Sequence, residues 1–223
     1  MKLQVPLGKG DTLTETNYDF AGTVRSLLDG DIAYFSVEDN GRLHTNATPP
    51  QLILSGSFNP LHDGHLDMAR AAAAMLGNPT TFELSAANAD KPPLSQKTVL
   101  HRLSQFAGRH PVFVSTAPTF IEKSRIYPGA TFIVGYDTAI RILQPRFYQN
   151  SQAQMLESLS EVNKHGCRFL VAGRVDGNGR FYQASDLIIP DGFSDLFQPL
   201  PDHQFRKDIS ATELRNTGQK GSR

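Results

Sequence analysis

Five short apolar runs constrain this 223-residue chain most strongly. They cover residues 52–54, 81–85, 111–114, 131–134 and 168–172. Each is the length of a buried strand, and most lead through small or turn-forming residues into helical spacing. After the first run, Leu66, Ala69, Ala73 and Leu76 recur on one helical face, and Gly77 and Pro79 end it. Strands alternating with helices predict an α/β fold, a doubly wound parallel sheet covered on both faces. Ligands of such sheets bind beyond the carboxyl ends of the strands. The polar clusters at 55–65, 88–91, 135–137 and 173–174 all follow strands, so they are expected at one edge.

The remaining segments fit around that core. Residues 1–48 differ in character. Phe20, Val24, Leu27 and Leu28 have helical spacing stopped by Gly30, and Glu38-Asp39-Asn40-Gly41 sits between two extended runs as a hairpin turn. A small helix-plus-hairpin appendage is predicted over 1–48, with a main domain over 49–223 after Pro49-Pro50. Its simplest use is to cover an edge or face of that domain. Further helices are expected over 99–106, 118–125, 138–143 and 152–164, and a short sixth strand over 185–189. A last helix begins in the segment 209–215.

Composition narrows the function. Lysine plus arginine and aspartate plus glutamate number 22 each. No global field favours nucleic acid or an anionic membrane, so an anion site must be local. A single cysteine, Cys167, excludes a disulfide framework within the chain and is expected to be a buried strand neighbour. No signal-peptide core and no run of about 20 apolar residues is present. A cytoplasmic location is the expectation, with a homo-oligomer left open.

The loop after the first strand carries the chemistry. His62 and His65 stand at a helix start, where unpaired N–H groups attract anions. Imidazole donors there make a clamp for phosphate oxygens. Gly56 and Gly64 allow close approach of backbone to a ligand. A helix cap with incidental histidines is the plainer alternative. The spacing of the two histidines does not suit zinc, and no metal site is expected. Near the other end, Ser210 and Glu213 have capping-box spacing, while Ser210, Thr212 and Arg215 place two hydroxyls and a guanidinium at a helix start.

The stretch Ser55-Gly56-Ser57-Phe58-Asn59-Pro60-Leu61-His62-Asp63-Gly64-His65 resembles the His-x-Gly-His signature of a nucleotidyltransferase superfamily. Its Gly-Ser-Phe-Asn-Pro form is most similar to nicotinamide and nicotinate mononucleotide adenylyltransferases. Ile209-Ser210-Ala211-Thr212-Glu213-Leu214-Arg215 resembles the partner motif Ile-Ser-x-Thr-x-x-Arg, and Gly135-Tyr136-Asp137 the Gly-x-Asp after a central strand. The resemblance spans residues 51 to about 216. It implies a Rossmann-like fold and transfer of a nucleoside monophosphate, with ATP favoured as donor and pyrophosphate released.

It also implies roles. His62, His65, Lys91 and Arg215 would be catalytic. Ser55, Gly56, Ser57, Phe58 and Gly64 would bind the nucleotide, as would Gly135, Asp137, Arg174, Ser210 and Thr212. Asn88, Lys91 and Arg102 would meet the phosphorylated acceptor. Magnesium would arrive with the triphosphate. Phe58 is equally read as core packing, and Lys123 as a solvated charge. The chain has no tryptophan to stack on a nicotinamide ring, which leaves Tyr136, Phe147 or Tyr148 for that task. A CTP-dependent cytidylyltransferase and a nucleotide-binding regulatory module are the alternatives.

Overall fold

A computed structural model describes residues 9–10, 16–87, 92–202 and 205. In chain order the elements are α1 (Phe20–Asp29), β1 (Tyr34–Val37), β2 (Leu43–His44), β3 (Leu52–Gly56), α2 (Asp63–Leu76), β4 (Thr81–Ser85), α3 (Gln96–Leu103) and β5 (Val112–Ser115). There follow α4 (Phe120–Ile126), β6 (Thr131–Gly135), α5 (Tyr136–Ile142), α6 (Gln152–Lys164), β7 (Arg168–Ala172), β8 (Arg174–Val175), β9 (Phe181–Tyr182) and β10 (Phe197–Leu200). The architecture is mixed α/β and Rossmann-like, with mostly parallel strands.

The chain divides into two compact units that interleave in sequence. The first comprises residues 1–48, 56–59 and 81–119, the second 49–55, 60–80 and 120–223. In the first unit the strand order is β4-β5-β1-β2. β4 and β5 are parallel, whereas β1 is antiparallel to β5, with Tyr34 opposite Ser115 and Val37 opposite Val112. The predicted helix and hairpin of the first 48 residues are present. Asp19 caps α1 by accepting the Gly22 N–H at 2.8 Å, and Gly30 ends it at φ 85°. Val24 and Leu27 are buried, and α1 lies against α3 and β1.

In the second unit the order is β10-β7-β6-β3, all parallel. Leu54 is opposite Ile133, and Gly135 is opposite Ala172. The carboxyl ends of β3, β6 and β7 therefore share one edge. The core residues of these strands are almost all apolar on both faces, among them Ile53, Phe132, Ile133, Phe169 and Leu170 at 0 % exposure. That is the pattern of a parallel strand covered on both sides.

Three local expectations are corrected. Residues 185–189 form no strand: a 3-10 turn occupies Ala184–Asp186, closed by the Asp186 carboxylate accepting the Gln183 N–H at 2.9 Å. The outer strand is instead β10, whose Pro199 is tolerated because, among the described residues, only β7 flanks that strand. The third helix starts three residues earlier than predicted, at Gln96, because Ser95 caps it by accepting the Thr98 N–H. Lys123 is not solvated. It is 3 % exposed in α4, against the general tendency of lysine.

Candidate active site

In the second unit, α2 begins directly at the histidine loop. His62 is extended at φ −145° and serves as the N-cap residue; its carbonyl accepts the N–H groups of His65 at 2.9 Å and Leu66 at 3.3 Å. The Asp63 and Gly64 N–H groups lie ahead of the first intrahelical bonds, so they point out of the helix. His62 is buried and its ring stacks on that of His65, with centroids 3.7 Å apart and planes 24° apart. The His62 N–H donates to His65 Nδ1 at 3.3 Å. With Nδ1 accepting, the proton of a neutral His65 sits on Nε2, which makes Nε2 a donor. Preceding this loop, the Ser55 Oγ is buried with no hydrogen-bond partner among the described residues, a hydroxyl suited to a ligand oxygen.

Two neighbouring strands add their loops at the same edge. β6 runs straight into α5 through Gly135, where an added Cβ would meet nothing within 4 Å. Asp137 lies in the first turn of α5, and its carboxylate is ion-paired with Arg174 at the start of β8. Tyr136 is buried. Burial, then the nearby Asp186 carboxylate, raises its hydroxyl above the ordinary phenol value, so it stays neutral.

In the first unit, the segment 56–59 is locked from its carbonyls. Arg102 Nη1 donates to the Ser57 carbonyl at 2.9 Å, and Gln105 Nε2 donates to the Phe58 carbonyl at 2.9 Å. Partial burial lowers the Arg102 pKa below the ordinary guanidinium value, and the side chain remains a cation. Phe58 takes φ 41°, an uncommon left-handed backbone for a bulky residue. Its ring is 1 % exposed and packs edge-on against Phe82 and Phe106, at 5.6 and 5.1 Å. The ring is thus part of the core of this unit. An added Cβ on Gly56 would lie 3.0 Å from that ring, tighter than ordinary contact.

The second unit thus unites His62 with His65, and Asp137 with Arg174, on loops that leave one strand edge. The first unit ties Arg102 to Ser57. Asn88, Lys91, Ser210, Thr212 and Arg215 lie outside the described residues. Sequence reasoning missed Gln105 and the β8–β9 hairpin. A polar glutamine, here in the turn that follows α3 at Leu103 rather than on the helix expected through residue 106, carries no signal, and the two-residue strands are below the length that periodicity detects. No group of three or more His, Cys, Asp or Glu side chains among the described residues could hold a metal ion. No helix among them is long and apolar enough to cross a membrane.

Comparison with known proteins places the chain in a family. A family model described as cytidylyltransferase-like matches residues 53–217. The chain belongs to that family. Among curated relatives, a probable nicotinate-nucleotide adenylyltransferase of Gloeobacter violaceus is 28 % identical over 179 residues, which cover 73 % of this chain and 81 % of that protein. A putative nicotinamide mononucleotide adenylyltransferase of Schizosaccharomyces pombe is 30 % identical over 122 residues, 48 % of this chain and 47 % of the relative. The match to the family covers every strand of the second unit and both histidines. The protein is a nucleotidyltransferase enzyme.

Proposed function

We propose that this enzyme transfers the adenylyl group of ATP to the phosphate of a pyridine mononucleotide, with release of pyrophosphate. The observation that carries the reading is the stacked His62–His65 pair at the start of α2. It presents imidazole and backbone donors together where phosphate oxygens would lie. The names of the two curated relatives, a nicotinate-nucleotide and a nicotinamide mononucleotide adenylyltransferase, support adenylyl transfer to a pyridine nucleotide.

An oxygen of the acceptor phosphate attacks the α-phosphorus in line. The bond from that phosphorus to the bridging oxygen of the β-phosphate breaks, and pyrophosphate leaves with the electron pair. The attacking oxygen is already anionic at neutral pH, so no protein nucleophile is needed. Catalysis is positioning together with stabilisation of charge that builds on the triphosphate. In this proposal His62 and His65 Nε2 donate to α- and β-phosphate oxygens, Ser55 to a neighbouring oxygen. Ser210, Thr212 and Arg215 receive the pyrophosphate. Asn88 and Lys91 orient the acceptor, and Arg102 acts on it and on the Ser57 carbonyl it already holds. Asp137 and Arg174 belong to the nucleoside end.

Magnesium fits as a companion of the triphosphate. The described side chains offer it no carboxylate cluster, and this ion keeps waters and takes phosphate oxygens readily. When bound it would neutralise charge on the phosphates. The decisive assay follows pyrophosphate release with ATP or CTP, each paired with nicotinamide mononucleotide, nicotinate mononucleotide or a phosphorylated alcohol. His65→Ala is expected to lower turnover by about 10²-fold or more while the protein stays folded. Full turnover in that variant would refute the role given to the pair. Preference for CTP would move the enzyme to cytidylyl transfer, and no turnover with any pair would make it a binding module.

A further inference from the structure

The strand–helix alternation does not call for the β8–β9 hairpin, yet the hairpin is held closely against the start of α5. Its turn is closed internally: the Asp176 carboxylate accepts the N–H groups of Asn178 at 2.8 Å and Arg180 at 2.9 Å. Gly173 joins it to β7 with no room for a side chain, since an added Cβ would lie 2.3 Å from the Phe181 ring and 2.7 Å from the Tyr182 carbonyl oxygen. Arg174 pairs with Asp137. Tyr182 stacks on Tyr136 with centroids 5.4 Å apart and planes 26° apart. The Arg180 guanidinium carbon lies 4.6 Å from the centre of the Tyr182 ring, and Arg180 Nη2 is 3.7 Å from the Asp186 carboxylate. The Tyr136 hydroxyl donates to the Asp186 carbonyl at 3.4 Å.

These contacts converge on two consecutive residues, Tyr136 and Asp137. Tyr136 is buried, so its ring is a fixed platform. The Asp137 carboxylate is 60 % exposed, so it faces solvent, and among the described residues Arg174 is its ion-pair partner. A carboxylate of this kind accepts hydrogen bonds from hydroxyl or amino groups, the donors that a nucleoside has and a bare polyphosphate lacks. The geometry points to the β8–β9 hairpin as a specificity element for the nucleoside half of the triphosphate, with Tyr182 as its positioning residue acting through Tyr136 and Asp137. The inference rests on the placement of Asp137 at the nucleoside end in the proposed function. Arg174 shares the same carboxylate, so a bound nucleoside either adds to the pair or displaces the guanidinium from it.

The test separates the two halves of the ligand. Calorimetric titration of the full chain with ATP, and separately with inorganic pyrophosphate, is compared among wild type, Tyr182→Ala, Tyr182→Phe and Arg180→Ala. Loss of the stacked ring is expected to weaken ATP roughly tenfold while pyrophosphate affinity stays within about twofold. Tyr182→Phe keeps the ring and should restore ATP binding. Arg180→Ala keeps the stack and removes the cation above it, so a smaller loss of about two- to fivefold is expected. Should Tyr182→Ala not fold, the other two variants still decide: unchanged ATP affinity in Arg180→Ala overturns the inference. Equal losses for ATP and pyrophosphate would reduce the hairpin to a structural brace and overturn it. Unchanged ATP binding in Tyr182→Ala, with Asp137→Ala weakened, overturns the hairpin's role and leaves the nucleoside assignment standing. Unchanged ATP binding in Asp137→Ala removes that assignment, and this inference with it.

Discussion

At the scale of the residue, the loop sequence Gly56-Ser57-Phe58 is read most clearly through one side chain. Phe58 turns its backbone into the left-handed region and buries its ring beside Phe82 and Phe106. A Cβ on the residue two positions earlier would crowd that ring at 3.0 Å and force it to shift, and that residue is glycine. Phe58→Ala is expected to destabilise the protein by about 3–5 kcal/mol in urea unfolding, the range for loss of a buried phenyl ring. Conservation of stability with a loss of ATP affinity would instead return Phe58 to the base pocket. Arg102 shows a different lesson. A cation expected to meet a substrate phosphate already holds a backbone carbonyl, so its removal perturbs the loop as well as any ligand.

At the scale of the element, the first 48 residues have a definite place. β1 hydrogen-bonds along all four residues of β5, and Phe35 and Val37 are buried with Val24 and Leu27 of α1. We propose that this segment serves chiefly to cover β5. Each buried side chain of this kind contributes about 1.5–3 kcal/mol. A chain starting at residue 49 should therefore present an open, apolar strand edge and aggregate, as scattering or gel filtration would reveal. A soluble, monomeric, active product would show that the segment serves another end. Within α1, Asp19→Ala removes the cap on the Gly22 N–H and should cost about 1 kcal/mol, small enough to measure in the full chain.

At the scale of the whole molecule, the two units interleave along one chain, the first being inserted twice between pieces of the second. Cys167 is a natural reporter on the second unit. It is fully buried, and burial pushes its thiol above the ordinary value, so little thiolate is available. Native protein is expected to resist alkylation at neutral pH, and labelling should appear only with unfolding. Phe58→Ala lies in the first unit. If the interleaved chain unfolds as one, that variant should lower the denaturant midpoint for Cys167 labelling as much as for loss of circular dichroism. Separate midpoints would show two cooperative units.

The sequence by itself determined the α/β class, the placement of most helices and strands, and the residues of the histidine loop. These follow from local periodicity, from glycine and proline at element ends, and from a spacing of polar residues that strands alone can gather at one edge. It also announced the family through its motifs. Only the tertiary structure decided that Phe58 is core, that Lys123 is buried, that the outer strand runs through Pro199 rather than residues 185–189, and that Asp137 meets Arg174 across 37 positions. Those outcomes depend on which neighbours arrive from distant segments. A side chain's burial or partner is a property of that packing, and no local pattern encodes it.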